Sequence, residues 1–349
     1  MMKKFRIAMA FVGVLIGAGF ASGQEMLQYF TAFGIWGIIG SLLSVFIFAF
    51  FGYSLIDLGH QFKAVSHRDV LEKIVPPIVG ALIDIFLLLT LFGIGVVMIA
   101  GAGSNLNQQF GLPLWLGAAI VSLLVIIVGL LGTKRVIDAI GAMAPFLIAL
   151  VVIIAATTIW TNPIDWQVLN TAARSLETPL PNWFISTLNY ASVNLTTAAA
   201  TSFLIGGQEE DGQVARQGGL LGGIITGLLI VFINFTLFIV SDQVAAYDMP
   251  MLQMAALLSP IVGVIMSVLI FLEIWNTAMS VLYSFVTSYV NPSKKQFNML
   301  FITVICVAFV LSFGGFKDVI GFVYPAVGYG GFIILSLFVI AWFKMRRQS

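Results

Sequence analysis

The chain of 349 residues is 60% hydrophobic and 9% charged, with 34 glycines, two histidines and one cysteine, and its mean hydropathy is +1.06. Such a composition belongs to a polytopic membrane protein, and a net charge of +1 gives no reason to expect nucleic acid as a partner. The lone Cys306, set in an apolar run, excludes an intrachain disulfide and a multi-cysteine metal site and is expected to act as a small core hydrophobe.

At about 20 apolar residues per span, ten helices are predicted in chain order, over 5–32, 34–59, 77–106, 113–132, 135–160, 183–207, 216–241, 258–290, 296–315 and 319–343. With the N-terminus in the cytoplasm, 14 of the 16 Lys and Arg residues fall on the inner side and only Arg174 and Lys317 outside, as the positive-inside rule requires. The expectation is a multi-pass protein of the cytoplasmic membrane with both termini inside. Lys3 and Lys4 before an apolar stretch, then Ala21, Ser22 and Gly23, also fit a signal peptide. The first span nevertheless continues through Met26, Leu27, Tyr29 and Phe30, which a discarded leader would not need.

That first span carries glycines at 13, 17, 19 and 23 and then the carboxylate of Glu25. Lipid offers no hydrogen bonds to freed backbone groups, so such a stretch is stable at membrane depth only inside protein or along a wet cavity. Interrupted spans point to the substrate site of a secondary transporter. A helix that ends and restarts exposes carbonyls at the old end and N–H groups at the new one, a surface that suits a zwitterion or small carboxylate. The bland alternative is close helix packing through small residues. Ser22 and Glu25 are spaced as an S-x-x-E capping box, while an intramembrane acid can also carry a proton as access changes sides; both readings stay open for Glu25.

An external segment, 161–182, with Pro163, Pro179 and Pro181, divides the spans into five (1–160) and five (183–349). Because five is odd, a repeat would have inverted topology. The counterpart of the broken span, Ser186 to Ser202, lacks glycine but is dense in Asn, Ser and Thr, and the third span of each half is long enough to need a strong tilt.

Gly13-xxx-Gly17-Ala18-Gly19-Phe20 resembles the first-helix glycine motif of the amino acid, polyamine and organocation transporter superfamily, whose members share the LeuT fold. The whole chain fits that plan and most resembles the YkvI-like bacterial membrane proteins within it. The resemblance implies an all-α protein with helices 1 and 6 unwound at mid-membrane and alternating access by rocking of a helical bundle. The substrate would bind at the breaks, by Gly17, Ala18, Gly19, Phe20 and Gly23 from the first and Asn189, Tyr190, Ser192 and Asn194 from the second. It also implies a Na+ site in which helix 8 faces the backbone of Gly13 and Ile16; carried over by position, its side-chain ligands are Glu273, Asn276 and Thr277.

Glu273 stands halfway along the eighth span among Leu, Ile and Phe, where an unpaired charge is costly. It must be protonated, bind a cation or pair across helices, and Asn276 and Thr277 share its helical face. Its carboxylate departs from the family pattern, so H+ in place of Na+ stays open, as does a structural acid bonded to a neighbouring helix. Asp84 is less distinctive, and local ion pairs suffice for Asp57 and for Asp138 beside Lys134. Glu209 to Asp211 reads as a solvated turn, and the polar run Ser104 to Gln109 as a helix end that either is merely polar or lines an outer vestibule.

No Ser and His pair, H-E-x-x-H, G-x-G-D or P-loop is present, and His60 and His67 fall in one loop. An enzyme is therefore not expected, nor is any cofactor beyond Na+. The expected function is Na+- or H+-coupled symport of a small amino-acid-like or amine-containing solute, the partners being the lipid bilayer and that solute. The alternative is a LeuT-fold sensor subunit like those of spore germinant receptors, which would bind its ligand without moving it; a passive channel is the third reading.

Overall fold

The computed structural model describes residues 2–131, 144–290 and 295–347. All regular structure among them is helical, since a helix satisfies every backbone group within its own segment and so can cross hydrocarbon. The predicted Asp138–Lys134 pair lies outside the described residues.

The first span is three pieces, α1 (Met2–Leu15), α2 (Ala18–Ser22) and α3 (Gln24–Tyr29), followed by a 3-10 turn over Thr31–Phe33. Next come α4 (Ile35–Phe62), the short surface helix α5 (His67–Ile74), α6 (Pro77–Phe110), α7 (Leu114–Leu131) and α8 (Ala144–Thr161). The second half holds α9 (Trp166–Arg174), α10 (Trp183–Gly207), α11 (Gly212–Ile239), α12 (Ser241–Val244), α13 (Pro250–Leu258), α14 (Pro260–Thr287), α15 (Lys295–Leu311) and α16 (Phe316–Arg346). Among the described residues seven helices are long and apolar enough to cross a membrane alone. The broken α1 to α3, the more polar α10 and the shorter α8 bring the passes to ten.

Local chemistry sets the boundaries. Pro77 opens α6 at its first turn and Gly111, at φ 67°, closes it. Asn182 accepts from the Ile185 N–H to start α10, and Asp211 from Gln213 and Val214 to start α11. The predicted eighth span begins two residues late: Ser259 caps α14 through the Ile261 N–H, with Pro260 in its first turn. Residues before it form the separate α12 and α13.

α4 packs along α11 and α10, α1 against α11, and α6 against α14 and α7, while α16 touches both α10 and α6. One close crossing is Gly52 on Gly219, where a Cβ on either residue would strike the other's carbonyl. Dispersion at such short range drives association where lipid is as apolar as the side chains.

Two expectations are corrected. α10 is continuous from Trp183 to Gly207, so the sixth span has no break. It holds no glycine before Gly206, and Thr187, Asn194, Thr197 and Ser202 bond to carbonyls one turn back on the intact helix. Cys306 is exposed on α15 rather than in the core, because its side of that helix turns outward.

Candidate functional site

The break between α1 and α2 follows from what its residues cannot do. After the Ile16 N–H bonds to Val12, Gly17 adopts an extended conformation (φ −107°, ψ −171°) and carries the chain out of the helix. Among the described residues, the carbonyls of Gly13 and Ile16 therefore accept no backbone hydrogen bond. Gly13 is exposed, with no atom within 4 Å of where its Cβ would stand. The break thus borders open space. Across it lies α14, whose Thr277 hydroxyl comes within 3.8 Å of a Cβ position on Gly17.

Glu273, 6% exposed, hydrogen-bonds with Asn276 one turn away. The structure brings together Gly17 and Thr277, and separately Glu273 and Asn276, on one face of α14. Oxygens from α14 and two free carbonyls from α1 form the donor set that hard cations use.

A second cluster forms above the break. Glu25, 4% exposed, folds back over Gly19, where a Cβ would occupy the place of its carboxylate. It hydrogen-bonds with the hydroxyls of Tyr190 on α10 and Tyr324 on α16. The expected capping box is absent: Ser22 donates to the Gly19 carbonyl at 2.7 Å and accepts from the Gln24 N–H at 3.1 Å. Gly23, at φ 80°, occupies the cap position of α3 without a side-chain bond. Glu25 is free for tertiary partners because Ser22 alone completes the local turn.

The ring of Tyr190 lies 5.5 Å from Tyr29 and 5.2 Å from Phe30, centroid to centroid. Both amide atoms of buried Gln24 and the Tyr29 hydroxyl have no partner, so polar capacity is left over on α3. Gly23 turns elsewhere, toward Met251 of α13 and Leu237. Phe20 is buried and Ala18 opens α2. Asn189 donates to the Pro325 carbonyl at 3.1 Å, Ser192 faces Gly331, and Asn194 bonds to the carbonyl of Tyr190. Of the four α10 residues expected at the site, only Tyr190 meets the broken span through its side chain. A continuous helix presents one face to α3, and Asn189 and Ser192 belong to its α16 face.

Tyr324 and Gln24 were not expected from sequence. The pattern Tyr324-Pro325 inside an apolar span marks an unusual position, yet only packing shows that α16 delivers it to Glu25. The polar run on α6 ties that helix to the α12 to α13 segment rather than lining an open vestibule. Ser104 donates to Asp248 at 2.6 Å, Gln108 pairs both ways with the backbone of Met249 at 2.9 and 3.0 Å, and Ser267 of α14 donates to Asn105 at 2.9 Å. On the opposite, basic face, Asp57 is fully buried between Arg216 at 3.3 Å and Trp342, whose indole N–H donates at 2.9 Å. Asp84 pairs with His67 and Arg68, each at 3.2 Å, and Asp211 caps α11 in the loop where Glu209 meets Lys3 at 3.9 Å. These partners come from different helices, which no local spacing could reveal.

No protein-family model matches the chain. It is 27% identical over 337 residues, 93% of this chain and 92% of the other, to the uncharacterized membrane protein YkvI of Bacillus subtilis (strain 168). It is 25% identical over 320 residues to the uncharacterized protein YyaD of the same organism, covering 91% of this chain and 90% of that one. Among solved structures, mutants of the Eremococcus coleocola manganese transporter superpose with TM-scores of 0.54, 0.54 and 0.52 at 14 to 15% identity, over 96% of this chain and 76% of theirs. The fold is LeuT-like. At that identity the likeness carries the architecture and leaves the chemistry of the break to the residues themselves.

Proposed function

We propose that the protein is a cation-coupled secondary transporter of the amino acid, polyamine and organocation superfamily, built as the 1–160 and 183–349 repeats, that symports a small amine-containing or amino-acid-like solute. The observation that carries this reading is the broken first span. It leaves two carbonyls unpaired and brings Gly17 against Thr277 of α14, and beyond the break Glu25 is held by tyrosines from α10 and α16. A carboxylate, aromatic faces and unpaired amide atoms suit an ammonium group with polar substituents. The carbonyl and hydroxyl oxygens suit Na+, with Glu273 and Asn276 one turn along α14 as further ligands or as the proton-binding alternative.

Five elements meet at this point, α2 and α3 with α10, α14 and α16, so occupancy there biases how the α1, α4, α10, α11 group sits against the α6 and α14 group. That is the coupling alternating access requires. The manganese transport of the structural neighbours is not carried over, because among the described residues no three His, Cys, Asp or Glu side chains converge, the sets on which such ions usually rely. The 14 basic residues that fall on one side of the predicted topology support a reading with both termini in the cytoplasm.

The test is a thermal-shift screen of the purified protein against amino acids, amines and small carboxylates, with and without Na+ and at two pH values. A ligand of the native state raises apparent stability by mass action. A hit that Glu25→Gln abolishes, and that drives saturable uptake into proteoliposomes under a Na+ or pH gradient, supports the reading. Binding without uptake under any gradient would turn it toward a sensor.

A further inference from the structure

Along α10, Asn189, Ser192 and Thr196 share one helical face and turn it to α16. A Cβ on Gly328 would meet the Asn189 amide, and one on Gly331 the hydroxyls of Ser192 and Thr196. All three residues are 0 to 1% exposed, yet Asn189 Oδ1, Ser192 Oγ and Thr196 Oγ1 have no hydrogen-bond partner. Elsewhere on the same helix the hydroxyls of Thr187, Thr197 and Ser202 bond to carbonyls one turn back at 2.9, 2.8 and 2.8 Å. Ser192 and Thr196 forgo that option, and the Asn189 amide oxygen, which can only accept, finds no donor; each orphaned group costs about 1–3 kcal/mol.

Both ends of this file meet titratable groups. At one end Tyr190, next to Asn189, and Tyr324, next to Pro325, hydrogen-bond Glu25, with Tyr29 close by on α3. At the other end Thr196 lines a small cavity of ≈ 10 Å³ together with His67, Leu87, Phe203 and Phe338, room for about one water. His67 Nε2 lies 3.2 Å from Asp84 of α6, whose second oxygen is 3.2 Å from Arg68. The α10 and α16 side chains lining that cavity bring no charged group to His67.

We propose that the α10–α16 seam is a proton route between Glu25 and the basic face of the protein, with the His67–Asp84 pair at its mouth. The idea rests on the proposed coupling role of Glu25. Ser192 and Thr196 each offer one donor and two acceptor positions. Each hydroxyl in turn, Thr196, Ser192 and then that of Tyr324 or Tyr190 beside Glu25, takes a proton on a lone pair and releases its own to the next acceptor, with waters as the links between them. The Asn189 amide oxygen accepts a hydrogen bond along the file but relays no proton, and overall one proton leaves His67 and one arrives at a Glu25 oxygen. Ser192 Oγ and Thr196 Oγ1 lie 2.4 and 2.6 Å from the place a Cβ on Gly331 would take, so they are no more than about 5 Å apart, and without a hydrogen bond between them one bridging water would link them.

The measurement is the rate at which the Glu25 carboxyl exchanges when membranes are moved into D2O. It is read by infrared difference spectroscopy, with Glu25→Gln assigning the band. Ser192→Ala combined with Thr196→Val should slow exchange by about tenfold or more, His67→Gln should slow it as well, and restoring the oxygen with Thr196→Ser should recover the rate. Recovery separates a relay from a packing defect, which thermal melting of each variant monitors. An unchanged rate in the double variant overturns the route, as does the absence of any exchangeable Glu25 carboxyl band between about pH 5 and 9. If the seam variants slow exchange but Glu25→Gln leaves pH-driven uptake intact, the route stands and the coupling role of Glu25 falls.

Discussion

Replacing Gly19 by Ala isolates the cluster on which the transporter reading depends. Gly19 lies inside α2 and its φ is not in the left-handed region, so the backbone accepts alanine and gains about 0.5–1 kcal/mol of helix stability. The added Cβ, however, falls on the Glu25 carboxylate, which must swing away from the Tyr190 and Tyr324 hydroxyls. Losing two hydrogen bonds costs about 1–3 kcal/mol for a neutral carboxyl and about 3–6 for a charged one. The expected net effect is a destabilisation of about 0–2.5 kcal/mol for a neutral carboxyl and about 2–5.5 kcal/mol for a charged one, together with loss of ligand-dependent stabilisation. In a Glu25→Ala background the same substitution meets no carboxylate and should stabilise by about 0.5–1 kcal/mol. Unfolding in mixed detergent micelles, run as a double-mutant cycle, reads the difference directly. Equal effects of Gly19→Ala in both backgrounds would refute the claim that the glycine exists to seat Glu25.

Glu273→Gln keeps an oxygen but loses the charge: it should weaken Na+ dependence more than solute affinity if Glu273 ligates the ion, or abolish pH-driven accumulation with binding retained if it carries the proton. Uptake under separate Na+ and pH gradients distinguishes these, and coupling like wild type in both removes Glu273 from the mechanism. In a Cys306→Ser background, a cysteine at exposed Thr171 should react with an impermeant thiol reagent in whole cells and one at exposed Gln61 should not; the reverse pattern inverts the topology. Asp57→Ala should cost about 2–4 kcal/mol, less than breaking a fully buried pair because Arg216 and Arg346 keep contact with water, and a melting temperature unchanged from wild type would show that the α4, α11 and α16 contact is not held by that carboxylate. Asp69 accepts the Val65 and Ser66 N–H groups at 2.8 Å, which holds its carboxyl below the usual range. Its contribution to stability is therefore present above the unfolded-state pKa and lost as pH falls through the lower folded value, so Asp69→Asn should flatten the acid arm of the stability profile, as melting curves across pH can check.

The number of passes, the basic inner face and the broken first span were legible in the sequence because each follows from a local rule. Hydrocarbon thickness sets the length of an apolar run, loop charge sets orientation, and four glycines within eleven residues followed by a carboxylate at membrane depth mark a weakened helix. Glycine density alone does not force a break, since α11 stays whole with five glycines between 218 and 227. The same locality misled at α10, where a high density of Ser, Thr and Asn suggested a second break although those side chains largely satisfy themselves on an intact helix. It misled again at Ser22 and Glu25, whose spacing fits a capping box while the acid goes to Tyr190 and Tyr324. Those tyrosines stand 165 and 299 positions along the chain from Glu25, so nothing in the spacing of the first span foretells them. Tertiary packing decided which face of each helix meets the break, because a helix fixes the direction of a side chain only relative to its own axis, and the rotation of that axis is set by close glycine crossings such as Gly52 on Gly219.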